Sequence, residues 1–126
     1  MAGERILVVD DNATNVKLAR FVLEKGGFVV RVATNAEEEM TEIEATLPRL
    51  ILMDVQLPGT DGLTLTRQLK AVPRTKDIVI VAFTAFAMES DREKAAAAGC
   101  DGFLAKPIDT RTFADQVSSF LAASQA

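Results

Sequence analysis

The chain has 126 residues, of which 48% are hydrophobic and 25% charged, and its formal net charge is -4. These values are typical of one globular domain, and the negative charge argues against nucleic acid as a partner because phosphates attract basic surfaces. The single cysteine excludes an internal disulfide, and the absence of histidine excludes histidine-based catalysis and histidine metal ligands.

No membrane or export signal is visible in the sequence. The apolar stretches are shorter than the roughly 18 residues of a membrane span. The segment before Ile6 is too short and too polar for a signal peptide. We therefore expect a cytoplasmic protein in a reducing compartment, with residues 1–126 forming one domain and no output domain.

Strands and helices alternate along the chain. Apolar runs predict strands at residues 6–9, 28–32, 50–53, 78–83 and 102–105. Helical patterns with plausible caps and stops predict helices at residues 13–25, 36–47, 63–71, 90–98 and from 109 or 110 to 122. This alternation predicts an α/β fold, with a single five-stranded parallel sheet and five helices on both faces.

Two helices carry patterns that admit more than one interpretation. In the first, Leu18, Val22 and Lys25 mark the face expected to pack on the sheet. A further apolar group, Val16, Ala19 and Phe21, is either additional core contact or a docking surface for a partner helix. In the second, the acidic run at residues 37–39 is interpreted as a solvated helix start, favoured by the helix dipole, and not as a metal site.

Polar side chains follow four of the predicted strands, and a parallel sheet places these ends on one edge, where ligands bind. They are Asp10 and Asp11, Asp54, Thr84 and Lys106. Clustered carboxylates need raised pKa values or a cation, and oxygen ligands suit Mg²⁺. Aspartate also serves as a nucleophile in covalent phosphoryl chemistry. A lysine and a hydroxyl can then hold the phosphoryl oxygens.

Each of these residues also has a simpler interpretation. Asp54 could be a turn former, the run Asp10-Asp11-Asn12 a helix cap, Thr84 a cap of the fourth helix and Lys106 a surface charge. Their coincidence at four strand ends favours the joint site.

Over its whole length the sequence resembles the receiver domains of two-component response regulators, the CheY-like family. The resemblance rests on Asp10-Asp11, on Met53-Asp54-Val55-Gln56-Leu57-Pro58 followed by Gly62, on Thr84-Ala85 and on Lys106-Pro107. Within the family, residues 53–58, 84–88 and 99–101 are similar to single-domain regulators of the DivK type. The resemblance implies the strand order 2-1-3-4-5.

The resemblance also implies roles for these residues. Asp54 would accept a phosphoryl group from the phosphohistidine of a sensor histidine kinase or a histidine phosphotransfer protein. Asp10, Asp11, Asp54 and the backbone carbonyl of Gln56 would hold Mg²⁺. Lys106 would pair with the phosphoryl group and Thr84 would move to hydrogen-bond it, while the loop at Ala85 closes and Phe103 turns inward. The Lys106–Pro107 peptide bond would be cis.

The implied output is binding of a downstream protein to the surface of helix 4, strand 5 and helix 5. The protein would be a monomer or a weak phosphorylation-dependent dimer. It would catalyse only its own phosphotransfer and slow autodephosphorylation, so we do not expect an enzyme in the usual sense.

Two positions depart from the family pattern. Residue 103 is often tyrosine in the family and is phenylalanine here, so switching must work by packing without a hydroxyl. Phe86 lies two residues past Thr84, where its ring could shield the phosphoryl group from water.

Three other functions fit parts of the pattern. A Mg²⁺-dependent phosphatase would usually have a second acid where Gln56 stands. A degenerate receiver would bind partners without phosphorylation, and the intact set of site residues argues against it. A flavin or nucleotide-binding domain of similar fold would need a phosphate-binding glycine motif, and neither G-x-G-x-x-G nor a Walker A motif is present.

Overall fold

The computed structural model describes residues 3–57, 59–85 and 88–124. The main sheet contains β1 (Arg5–Val9), β2 (Val29–Ala33), β3 (Leu50–Met53), β4 (Val79–Thr84) and β5 (Gly102–Ala105). All neighbouring pairs are parallel, in the order β2-β1-β3-β4-β5. The predicted sheet and its strand order are therefore confirmed.

In the described part of the chain, four helices connect these strands and a fifth follows the last strand: α1 (Ala13–Lys25), α2 (Ala36–Ala45), α3 (Gly62–Ala71), α4 (Glu89–Ala98) and α5 (Phe113–Ser124). The predicted start of α5 is wrong by three or four residues. The Asp109 carbonyl accepts the amides of Thr112 and Phe113, and its carboxylate accepts the Arg111 amide. Asp109 thus organises a turn that precedes the helix. The end of α2 also comes early, because Thr46 is already extended.

The loop after β3 contains a short antiparallel ribbon that the turn pattern did not predict. Gln56–Leu57 pairs with Thr60–Asp61. Asp61 then caps α3, since its carboxylate accepts the Leu63 amide at 3.0 Å. The ribbon leads the chain from the end of β3 straight into α3.

The sheet is buried on both faces, as near-continuous apolar strands require. In β1, Ile6 and Val8 belong to the cluster beneath α1 and α5, whereas Leu7 and Val9 belong to the cluster beneath α2 and α3. Successive side chains of a strand point to opposite faces, so β1, β2, β3 and β4 each contribute to both clusters. The strand ends are therefore held by packing from both sides.

The face of α1 that packs on the sheet is rotated from the predicted one. Ala19 and Leu23 are its buried residues, and Val16 and Val22 are partly buried against them. Leu18 and Lys25, assigned to the inner face, are exposed. Residues four apart lie on one side of a helix, and the Ala19–Leu23 pair defines that side here.

Among the described residues, no helix is long and apolar enough to cross a membrane.

Candidate functional site

The register of the sheet brings the two acidic strand ends together. Val9 of β1 lies opposite Met53 of β3, so the next residues, Asp10 and Asp54, leave the sheet side by side. The Asp54 amide donates to the Val9 carbonyl at 2.9 Å, which extends the ladder by one step. The predicted meeting of these ends at the carboxyl edge is what the geometry shows.

The three predicted carboxylates form one cluster. Ligand oxygens of Asp10, Asp11 and Asp54 lie within 4.8 Å of one another. Asp10 is 0% exposed and Asp54 is 6% exposed, whereas the side chain of Asp11 lies in solvent. The cluster thus has a buried side and an open side.

The simpler turn interpretation of these acids holds as well. One oxygen of Asp10, Oδ1, accepts the Asn12 amide at 2.9 Å, and Oδ1 of Asp54 accepts the Gln56 amide at the same distance. The N-cap of α1 is Asn12, whose side chain accepts the Asn15 amide. Each buried carboxylate therefore shapes its own turn with one oxygen and presents the other to the site.

Lys106 joins the two buried carboxylates. Its ammonium lies 2.6 Å from Asp10 Oδ2 and 3.2 Å from Asp54 Oδ2. The Lys106 amide donates to the Thr84 carbonyl at 2.8 Å, which anchors the residue at the end of β5 beside β4. Its ammonium also lies 5.1 Å from the centre of the Phe83 ring. Lys106 is thus a site residue and not a surface charge, and its bond to Pro107 is cis as expected.

The Asp54 carboxyl has a raised pKa. Burial is the main cause, and repulsion from Asp10 adds to it. The Gln56 amide and the Lys106 ammonium act in the opposite direction. A cation placed among these acids would therefore stabilise the ionised form that a nucleophile needs.

The donor set suits a hard divalent cation. Three carboxylates within 4.8 Å of one another supply oxygen ligands, and one of them opens to solvent. Mg²⁺ prefers oxygen ligands and usually keeps several waters, which this half-open arrangement permits. The residues present therefore fit the predicted ion.

The remaining predicted residues lie around this cluster. Thr84 is 1% exposed at the end of β4, opposite Ala105 in the β4–β5 pairing. Gln56 and Ala85 are exposed beside the site, and Phe103 is half-buried on β5. Phe86 lies outside the described residues. The structure brings the five polar residues to one edge and places Phe103 farther along the sheet, opposite Ala82.

Two features of the structure were not predicted. The Arg92 guanidinium of α4 lies over the Phe103 ring, with its Cζ 4.7 Å from the ring centre. Glu39, interpreted as part of a solvated helix start, is completely buried, so that interpretation is wrong for this residue. The four-residue spacing of Glu39 from Ile43 could have placed it on the inner face.

A family model for the response regulator receiver domain matches residues 6–118. The chain belongs to this family. It is 36% identical over 116 residues to the polar-differentiation response regulator DivK of Brucella anthropi, with 92% of this chain and 94% of the relative covered. Receiver domains are signalling modules, and this chain is one by sequence and by fold.

Solved structures agree with this assignment. A response-regulator structure from Chloroflexus aurantiacus J-10-fl matches with a TM-score of 0.90 and 34% identity, covering 95% of this chain and 98% of that one. The chemotaxis response regulator CheY4 of Vibrio cholerae matches with a TM-score of 0.88 at 20% identity, covering 94% and 99%. The second likeness shows the fold alone.

Proposed function

We propose that this receiver domain accepts a phosphoryl group on Asp54 from the phosphohistidine of a sensor histidine kinase or histidine phosphotransfer protein. The observation that carries the proposal is the position of Asp54 among the three acids. Asp10 is fully buried, and Asp11 is exposed with no contact to Lys106 among those the structure describes. Asp54 combines slight access from solvent with the Lys106 ammonium at 3.2 Å.

In the proposed transfer, a carboxylate oxygen of Asp54 attacks phosphorus and the bond from phosphorus to the donor nitrogen breaks. The leaving imidazole keeps the electron pair of that bond. Mg²⁺, held by Asp10, Asp11, Asp54 and the Gln56 carbonyl, would neutralise charge on the phosphoryl oxygens. Lys106 is already at the reacting carboxylate, so it can pair with the new group without a long movement.

The proposed signal is a shift between two packing states. Phosphorylation adds a charge of about -1.5 to -2 at Asp54. Lys106 and the Thr84 hydroxyl, both at the carboxyl edge, are the groups that can respond to it. Movement of Thr84 toward the phosphoryl group would vacate space into which Phe103 would turn. This change in packing would reach the surface of α4, β5 and α5. A modification shifts states only through such differential contacts.

The output surface has a cavity that fits this role. A cavity of about 330 Å³ lies between β5 and α5, and its lining includes Arg92, Phe103, Pro107 and Gln116. Inward rotation of Phe103 would change its shape and would break the Arg92 contact. We propose this surface as the site for the downstream protein. The single-domain organisation, the cytoplasmic location and the monomer or weak dimer stay predictions from the sequence.

Incubation with Mg²⁺ and a small acyl phosphate donor tests the function. We expect intact-mass analysis to show one added phosphoryl group per chain, and none when a chelator removes Mg²⁺ before the donor is added or when Asp54→Asn is used. An unmodified wild-type protein, or an adduct that survives Asp54→Asn, would sink the proposal. Release of many equivalents of phosphate per minute would instead favour the phosphatase.

Charge at Phe21 is expected to slow transfer from a phosphohistidine donor. Phe21 is 63% exposed on α1, whereas Ala19, grouped with it in the sequence, belongs to the core. A carboxylate in Phe21→Asp would have to be desolvated at an apolar helix contact, so we expect the transfer rate to fall at least tenfold, about 1.4 kcal/mol. Rapid-quench phosphotransfer measures the rate.

Two controls separate docking from chemistry. Phosphorylation of Phe21→Asp by the small acyl phosphate should match the wild type, because that donor needs no docking surface. Val72→Asp, at an exposed apolar residue after α3, should transfer at the wild-type rate. Equal phosphohistidine rates for Phe21→Asp and wild type would show that α1 is not the docking helix.

Phe86→Ala is expected to shorten the lifetime of the phosphorylated protein several-fold. The sequence places this ring two residues past Thr84, and a smaller side chain would admit water to the acyl phosphate. Decay of the phosphorylated fraction after donor removal, followed by intact mass, gives the half-life. An unchanged half-life would count against shielding by Phe86.

A further inference from the structure

α2 is held on the sheet in an unusual way. Its two buried residues are Ile43 and Glu39. Glu39 is 0% exposed, and neither carboxyl oxygen has a hydrogen-bond partner among the described residues. Buried carboxyl groups are normally paired or hydrogen-bonded, because burial of an unpaired charge is costly. Burial alone raises the pKa of Glu39 to about 8.

Among the residues that the structure describes, none supplies a charge that compensates Glu39. α2 packs on β1 and β2, and Ile43, one turn along the same face, lies in the apolar cluster with Leu7, Val9 and Ala33. The charged groups on the neighbouring elements are either paired with other residues or exposed. The paired groups are Arg31 with Glu42, Arg74 with Glu44, Lys70 with Asp101, Lys106 with Asp10 and Asp54, and Glu38 with Thr34. The exposed groups are Arg5, Asp61 and Arg67. Desolvation is the sole cause of the pKa shift.

The other contacts that hold α2 on the sheet are weak, so they would not compensate if Glu39 left its buried position. Where α3 buries Leu65 and Leu69, α2 buries one large apolar side chain, Ile43. The ion pairs Arg31–Glu42 and Arg74–Glu44 lie in solvent, where such pairs contribute little and salt screens them. The first turn of α2 also carries two other acids, Glu37 and Glu38, so an ionised Glu39 would be a third negative charge in that turn.

We propose that α2 docks on the sheet while the Glu39 carboxyl carries a proton, and that it comes away from the sheet in mildly alkaline solution. A carboxyl whose pKa is higher when docked than when free binds its proton more tightly in the docked state. Raising the pH therefore weakens the docking of α2 on the sheet. This weakening stops once the pH exceeds the pKa of Glu39 in the docked state. The segment that leads from β2 into α2 contacts the acidic site, since the Asp10 amide donates to the Ala33 carbonyl at 3.0 Å.

Backbone amide hydrogen exchange tests this proposal. Protection factors of the interior α2 amides are measured at about pH 6 and about pH 9 and corrected for intrinsic exchange, with α5 as the internal reference. In the wild type we expect α2 protection to fall on the order of tenfold at the higher pH, relative to α5. Glu39→Gln and Glu39→Met cannot ionise and should show no such loss.

Glu37→Gln is the matched control, because Glu37 is an exposed acid in the same turn. It should lose protection as the wild type does. Three results would overturn the proposal: equal α2 protection at both pH values in the wild type, an equal loss in Glu39→Gln and Glu39→Met, or a loss of the same size in α5. Glu39→Met keeps the test informative if the buried amide of Glu39→Gln prevents folding.

Discussion

Lys106→Met should destabilise the protein by about 3 kcal/mol or more at neutral pH, and Mg²⁺ should restore much of that loss. Lys106 is the cation that contacts both Asp10 and Asp54 among the described residues. Removing one partner from a buried ion pair leaves charge uncompensated, at a cost of about 3–5 kcal/mol. A divalent cation in the cluster would supply the missing charge and stabilise the folded state by mass action.

Urea unfolding with and without Mg²⁺ measures both effects. Lys94→Met is the control, since Lys94 is exposed on α4, and its stability should stay within about 0.5 kcal/mol of the wild type. The deficit of Lys106→Met should shrink at acid pH, because protonated carboxyls no longer repel each other. If Lys106→Met were as stable as Lys94→Met and gained no more from Mg²⁺ than the wild type, the bridging role of Lys106 would be wrong.

Gly62→Ala should cost about 3 kcal/mol and displace Asp54, the proposed acceptor. A Cβ at Gly62 would overlap the Asp54 carbonyl oxygen and lie 2.9 Å from Val55 Cα. These are backbone atoms, which cannot move aside as a flexible side chain can. The strain therefore falls on the turn that aims the Asp54 carboxylate, and phosphorylation by a small donor should slow together with the loss of stability.

Gly26→Ala provides the comparison for this prediction. Its φ is -79°, and an added Cβ would lie 3.2 Å from the Ala114 Cβ, a contact that a small shift between α1 and α5 relieves. We expect a change below about 1 kcal/mol and normal phosphorylation. A Gly62→Ala protein with wild-type stability and phosphorylation rate would show that the backbone at Asp54 tolerates displacement.

The strand ends were predictable because parallel β-sheets leave few alternatives. Apolar runs located the strands, and the rule that parallel strands share a carboxyl edge gathered Asp10, Asp54, Thr84 and Lys106. The Val9–Met53 register then confirmed that the two buried acids are neighbours. Family resemblance supplied the strand order and the roles, which residue types alone left open.

Features that depend on helix rotation and packing were not predictable in the same way. The apolar residues of α1 admit several inner faces, and the sheet selects the one containing Ala19 and Leu23. Glu39 follows two exposed acids in the sequence, so the acidic run indicated an exposed side chain. Its spacing from Ile43 instead places it on the inner face of α2. The Arg92–Phe103 contact joins α4 to β5, and no local pattern encodes it.

We expect Asp54, and neither neighbouring acid, to accept the phosphoryl group. The protein is phosphorylated with a small acyl phosphate in Mg²⁺, the acyl phosphate is reduced with borohydride, and peptides are sequenced by mass spectrometry. Reduction converts a phosphorylated aspartate to homoserine, so we expect homoserine at position 54 alone. Homoserine at position 10 or 11, or a phosphorylated hydroxyl such as that of Thr84, would contradict it.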